Sequence, residues 1–208
     1  TAQRESIGKA LAGIEKSLPD RQQIQHTMTA FNCTACHTRD GVDGVSNAMF
    51  QHFGTDEEGL GNPGRIPPTL DGVGAKLRPE WLLKVLFDGE TARPYMHTRM
   101  PQFGEANLRH LPGLFEKVDS LPVVELPEPK RNDRRKYREA GHLLMGDKGL
   151  NCVACHNFNG KPSPGLKGLD LLNSFERLQP SWFAHFMRNP QKYRPGIVMP
   201  DFWPGGEA

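Results

Sequence analysis

An all-α fold of two similar helical modules is predicted by three features of the sequence. Apolar residues recur at helical spacing in several separate stretches. The stretch Asn32-Cys33-Thr34-Ala35-Cys36-His37 returns 119 positions later as Asn151-Cys152-Val153-Ala154-Cys155-His156. A further set of Pro, Trp and Met landmarks follows each copy in the same order. The chain has 208 residues, 37 % of them hydrophobic, with 22 Gly, 18 Pro and a mean hydropathy of −0.58. That is thin material for two independent apolar cores, because small domains are already marginal by burial.

Taken in order, residues 4–18 place Ile7, Leu11, Ile14 and Leu18 on one helical face. Pro19-Asp20 ends that stretch. Asp20 with Gln23 three positions on reads as a capping box opening a second helix with apolar positions Ile24, Met28 and Phe31. Residues 39–65 are rich in Gly, Asn and Asp and read as a long surface insertion. Its acidic run Asp56-Glu57-Glu58 is read as a solvated loop rather than a calcium site. A short helix from Pro79 to Phe87 has Pro in its first turn and buries Trp81, Leu82, Val85 and Leu86. A third helix spans about 108–121, with Leu111, Leu114, Phe115 and Val118 inward. A charged helix from Asn132 to Met145 follows, its inward positions Tyr137, Ala140, Gly141 and Leu144.

The landmarks repeat after each Cys-containing stretch. Pro164-Gly165-Leu166-Lys167-Gly168 matches Pro68-Thr69-Leu70-Asp71-Gly72, and Leu178-Gln179-Pro180-Ser181-Trp182 matches Leu77-Arg78-Pro79-Glu80-Trp81. Arg194-Pro195 and Met199-Pro200-Asp201-Phe202 match Arg93-Pro94 and Met100-Pro101-Gln102-Phe103. An internal duplication of this kind sets the domain count at two. The expected boundaries are an N-terminal helix at 1–20, a first module at 21–121, a Pro-rich linker at 122–131 and a second module at 132–208.

Cys-x-x-Cys-His is the attachment signature of c-type haem. Two thiols at that spacing can each add to one vinyl group of the porphyrin, and the following imidazole can ligate the iron. All four cysteines fall in the two motifs, so two covalent haems are expected on Cys33, Cys36, Cys152 and Cys155, with His37 and His156 as iron ligands. A large flat apolar cofactor would also relieve the shortage of core residues. Disulfides are the plain alternative for paired cysteines. Zinc would need four ligands where each motif supplies three, in modules 119 positions apart. For the second axial position the duplication selects Met100 and Met199, each in Met-Pro-x-Phe. Met96 and His97 are rivals in the first module, and core packing is the alternative for any methionine.

On these residues the chain resembles the class I c-type cytochromes in their tandem dihaem bacterial form, and cytochrome modules appended to larger exported proteins. The likeness covers nearly everything from residue 21 onward. It implies two cytochrome c-like helical modules, each wrapped around one haem. It also implies that the Pro68 and Pro164 carbonyls accept from His37 and His156, and that Trp81, Trp182, Arg93 and Arg194 lie near haem propionates. Modules of this family end in a helix crossing the first one. The second module has nine residues after Met199, which suggests either a chain cut from a longer parent, the preferred reading, or helix 4–18 folding over that module instead.

The resemblance implies electron transfer between redox partner proteins, or within an oxidoreductase, rather than an enzyme, at a periplasmic or otherwise exported location. The start at Thr1 fits removal of a leader or of a larger parent. A dihaem peroxidase or a haem sensor with one open axial position is the alternative. A net charge of +2 gives no argument for nucleic acid, and no apolar run is long enough to span a membrane.

Overall fold

The computed structural model describes residues 2–12, 18–42 and 44–204, without the side chains of Leu11 and Ala12. Over these residues the chain is helical. It has only isolated β-bridges and no strand, and no helix is long and apolar enough to cross a membrane. Helix α1 (Ala2–Ala12) has every side chain from Ala2 to Ala10 exposed. Ile14 of the expected apolar face lies outside the described residues. Helix α2 (Asp20–Ala30) begins one residue earlier than a capping box requires. Pro19 stands at the N-cap, and the Gln23 side chain reaches back to the Leu18 carbonyl at 2.5 Å. The box is therefore replaced by a one-sided tether. Pro19, with its φ of −52°, already sets the entry of the chain.

Short helices α3 (Asn62–Arg65), α4 (Val73–Lys76) and α5 (Pro79–Leu83) follow. Pro79 sits at the start of α5, which runs on into a π turn at Lys84–Asp88 closed by Gly89 at φ 71°. Of the stretch 108–121 expected as one helix, helix α7 (Leu111–Val118) covers the middle, and helix α6 (Glu105–Leu108) ends where that stretch begins. The core of the first module lies where α2, α4, α5 and α7 meet. It contains Ile24, Met28, Val73, Leu82, Leu86, Leu108, Leu111, Leu114 and Phe115. Phe31, Cys33, Leu70, Met100 and Phe103 pack against it half-buried. Gly74 is there because α7 crosses against its backbone: a Cβ at 74 would stand 2.0 Å from the Phe115 carbonyl oxygen. Burial of nine apolar side chains, at roughly 1.5–3 kcal/mol each, is what orders this half.

The insertion is not a free loop. Thr55 bridges Met96, the Asp56 N–H donates to the Tyr95 carbonyl, and the Arg93 guanidinium donates to the carbonyls of Pro63 and Ile66. Two of its acidic residues find partners: Asp56 lies 2.8 Å from His97 Nε2, and Glu57 pairs with Lys167 at 3.4 Å.

Residues 120–130 form the extended connection. It is held along the second half where the Val124 N–H donates to Ser181 Oγ and His185 Nε2 donates to the Pro122 carbonyl. Helix α8 (Arg134–Met145) follows, then α9 (Asn173–Arg177), α10 (Pro180–Arg188) and α11 (Pro190–Tyr193). The inward face expected for α8 is corrected: none of its residues is buried, and Tyr137 and Leu144 are exposed. Among the described residues the second half has only Leu178 and Trp182 as buried hydrophobics, beside the fully buried Pro190.

The halves meet at a short antiparallel bridge between Leu77 and Leu178. The Arg78 N–H donates to the Arg177 carbonyl and the Gln179 N–H donates to the Lys76 carbonyl, both at 2.9 Å. The shift of 101 takes residues 76–78 onto 177–179 and exchanges these two bonds. The contact therefore has a local pseudo-twofold axis between the two leucines.

Candidate cofactor sites

Both Cys-x-x-Cys-His stretches fold alike, and the local cause is legible. Asn32 (φ 53°) and Asn151 (φ 54°) take the left-handed conformation, which Asn tolerates better than most residues. Each then opens a 3₁₀ turn, Cys33–Ala35 and Cys152–Ala154. The His37 and His156 N–H groups close back on the Cys33 and Cys152 carbonyls at 2.9 and 3.0 Å. A second tight turn follows in each half. Arg39 pairs with Val42 and Phe158 with Lys161, around Asp40-Gly41 and Asn159-Gly160, all four with positive φ. Two consecutive positive φ values are what Asp-Gly and Asn-Gly supply in such turns. The four thiols are free; Cys33, Cys36 and Cys152 are half-buried and Cys155 is exposed. Burial pushes the Cys33 and Cys152 thiols up, with the neighbouring Cys36 and Cys155 adding to it.

The imidazoles are aimed from behind by carbonyls. His37 Nδ1 donates to the Pro68 carbonyl at 2.7 Å, as the resemblance implies. His156 Nδ1 donates at 2.9 Å to the Leu169 carbonyl, not to Pro164. Pro164 is exposed, and its assignment is corrected. In the first half Leu70 N–H bonds to the Thr38 carbonyl, and in the second Leu171 N–H bonds to the Asn157 carbonyl. Leu169 thus stands where Pro68 does. The shift of 101 positions that relates them also relates Leu77 to Leu178, Trp81 to Trp182 and Arg93 to Arg194. Pro164-Gly165-Leu166-Lys167-Gly168 resembles the first-half pattern for another reason. Cβ atoms at Gly165 and Gly168 would come within 2.7 Å of the Ala154 oxygen and 2.8 Å of the Cys155 oxygen. Those glycines let the loop lie on the motif backbone.

A carbonyl only accepts, so the proton of each neutral imidazole sits on Nδ1 and the lone pair is left on Nε2. Burial lowers the pKa of His37, keeping it neutral at pH 7. An imidazole with its remote nitrogen held by a carbonyl is the usual form of a metal ligand. Among the described residues no group of three or more His, Cys, Asp or Glu gathers to hold a metal ion, so a four-donor zinc site is not built.

Met100 is half-buried against the same core that Cys33 touches, and its neighbour Phe103 packs on Phe31 at 5.2 Å. Met96 is buried. The exposed His97 is engaged by Asp56. Met199 is half-buried in a segment held by Gln191, a residue the sequence did not single out: its Nε2 donates to the Ile197 carbonyl at 2.6 Å and its Oε1 accepts from Gly196 N–H.

Trp81 and Trp182 are buried, and Trp182 stacks on Phe186 with centroids 4.7 Å apart. Lys76 Nζ lies 4.9 Å from the centre of the Trp182 ring, across the boundary between the halves. Around this point Lys76, Arg93, Arg177 and Arg194 lie close enough to repel one another. Burial, then the three guanidinium groups, lowers Lys76 to about 7. Burial, then Arg194, lowers Arg93 to about 10, and burial lowers Arg177 to about 10. Burial also lowers Arg194. Buried Nε of Arg177 has no hydrogen-bond partner. Lys76 and Arg177 were missed in the sequence, although the shift of 101 puts one cation above the other.

Comparison with family profiles, curated proteins and solved structures found no match.

Proposed function

We propose that the chain is an electron-transfer protein or domain carrying two c-type haems in two cytochrome c-like modules. The observation that carries this reading is the turn built twice around Cys-x-x-Cys-His, with each imidazole held through Nδ1 by a backbone carbonyl. The residues present fit the group. Cys33 and Cys36 would anchor one haem and Cys152 and Cys155 the other, with His37 and His156 on the irons. Met100 and Met199 are the proposed partners across the ring, and a thioether there favours a high reduction potential. The haem supplies reversible one-electron chemistry; the chain holds, orients and shields it.

The apolar surface of the second half supports the same reading. Leu143 at 60 % and Phe175 at 85 % exposure, with Tyr137, Leu144 and Leu172, are more than a small half-domain ordinarily leaves in water. A flat apolar group of haem size would cover apolar side chains of this kind. Redox partner proteins, or an attached oxidoreductase, and an exported location follow from this reading.

The test is the exported protein itself. Mass spectrometry and the haem spectrum should show two covalent haems per chain, and the oxidised form should show the weak red-edge band of methionine–iron ligation. Met100→Ala and Met199→Ala should each remove a share of that band. Carbon monoxide binding to the reduced wild type, with no such band, would refute the pure carrier and favour an open-site enzyme or sensor.

A further inference from the structure

The acidic insertion of the first half reaches the loop that aims the second histidine. Glu57 Oε1 lies 3.4 Å from Lys167 Nζ, and the Glu57 side chain is only 22 % exposed, so water screens the pair in part. A Cβ at Gly59 would stand 3.2 Å from the Leu166 side chain. Both contacts fall just before Leu169, whose carbonyl accepts from His156 Nδ1. The loop itself is stitched to the Cys-containing turn. The Gly165 and Gly168 N–H groups donate to the Ala154 and Cys155 carbonyls at 3.1 and 2.7 Å, and the Ser163 N–H donates to Asn157 Oδ1 at 3.0 Å. A Cβ at Gly168 would come 3.0 Å from His156 Nδ1, so the loop backbone lies against the imidazole. The insertion is fastened to the first half just before these residues. The Asp56 N–H donates to the Tyr95 carbonyl at 2.9 Å and the His97 N–H to the Gly54 carbonyl at 3.1 Å. Residues 57–59 therefore stand between an anchor on the first half and a loop of the second. The second half has no insertion to return the contact: Leu169 follows His156 by 13 positions, whereas Pro68 follows His37 by 31.

We propose that Glu57 and Gly59 are positioning residues for the second site, a clamp by which the first half holds the Leu169 carbonyl against His156. This rests on the reading of His156 as an iron ligand. Glu57 fixes the loop through Lys167, and Gly59, lacking a side chain, lets Leu166 lie against its backbone. A carbonyl held on Nδ1 sets the orientation and basicity of an imidazole at its other nitrogen. The second histidine is thereby tuned from outside its own half, whereas the first takes its carbonyl from Pro68 within its own half.

Three measurements on the exported full chain test this. Hydrogen exchange of the Gly168 amide reads the clamp, potentiometry reads the site, and mass gives the haem content. Glu57→Lys should speed Gly168 exchange by about fivefold, the scale of a partly exposed ion pair. It should also shift the potential of the second haem, the one assigned by Met199→Ala, and leave the first where it is. Gly59→Val, which pushes on Leu166, should do the same with no change of charge. Glu57→Lys combined with Lys167→Glu should restore both readings. Glu58→Lys makes the same change of charge at the exposed next residue and should alter neither. Equal shifts from Glu57→Lys and Glu58→Lys would overturn the clamp, by showing that net charge alone acts. Unchanged Gly168 exchange in Glu57→Lys and Gly59→Val, or a charge swap that restores nothing, would overturn it as well. A chain without two covalent haems would overturn the functional reading, a result that mass alone distinguishes, while Gly168 exchange reads the clamp with or without haem.

Discussion

Asp119 is the residue whose removal the structure makes most expensive in the first half. Its side chain is 6 % exposed and accepts from Arg39 at 2.6 and 3.1 Å and from the Gly74 N–H at 2.9 Å. Arg39, 5 % exposed, also donates to the Leu70 carbonyl at 2.6 Å and lies over the Phe115 ring at 4.9 Å. The pair thus ties the loop after His37 to α4 and α7 at once. Asp119→Ala leaves a guanidinium buried with most of its charge unmet, which costs about 3–5 kcal/mol. At about 2–4 °C per kcal/mol for a chain of this size, Tm should fall by roughly 6–20 °C. Replacing both partners by apolar residues, Arg39→Met with Asp119→Leu, should cost less than Asp119→Ala alone, because no charge is stranded. The assay is urea unfolding followed by circular dichroism, run on the wild type, both singles and the double. An Asp119→Ala loss below about 1 kcal/mol, or a double variant as unstable as that single, would refute the reasoning.

Three further outcomes are expected. Gly74→Ala should destabilise by about 1–3 kcal/mol or more through its clash with the Phe115 backbone. Gly113→Ala, with open space around it on α7, should stabilise by about 0.5–1 kcal/mol; thermal melts of the two variants make the comparison. Lys76, lowered from 10.5 to about 7, keeps its proton in the unfolded chain but loses it in the fold between those values. In the chain made without haem, stability should therefore rise with pH across that window, by at most about 1.4 kcal/mol per pH unit, and Lys76→Met should flatten the rise in urea melts. The Asp170 carboxyl is held low mainly by the Gly160 N–H, with Leu172 and Asn159 N–H adding to it. Its contribution is present above the ordinary carboxylate range and lost as pH falls through the depressed value. Asp170→Ala should lower stability at neutral pH, by about 1 kcal/mol or less because water screens these exposed bonds, and acid titration of the variant should show a shallower loss.

Much of this architecture was legible because local chemistry repeats. Pro79 at the first turn of α5 and the apolar positions of α7 act within a few residues, and the structure has them where the spacing puts them; the Asp-Gly and Asn-Gly turns are as local but went unread. The His156 partner was not legible from the pattern Pro-x-Leu-x-Gly, because two glycines needed for close approach to the motif backbone imitate it. The shift of 101 positions that relates Trp81 to Trp182, applied to Pro68, leads to Leu169. The face of α8 was misjudged for a different reason. Helical periodicity tells which side is apolar but not whether protein covers it.

What the sequence determined by itself is the repeat in the chain: two Cys-x-x-Cys-His stretches and the helices that flank them. Those features depend on backbone preferences and on spacing, which are written residue by residue. Only the tertiary structure decided that residues 76–78 and 177–179 pair across a pseudo-twofold axis and bury Arg177 beside it. Residues a hundred positions apart meet through the packing of whole modules, and burial of charge exists only once that packing has excluded water.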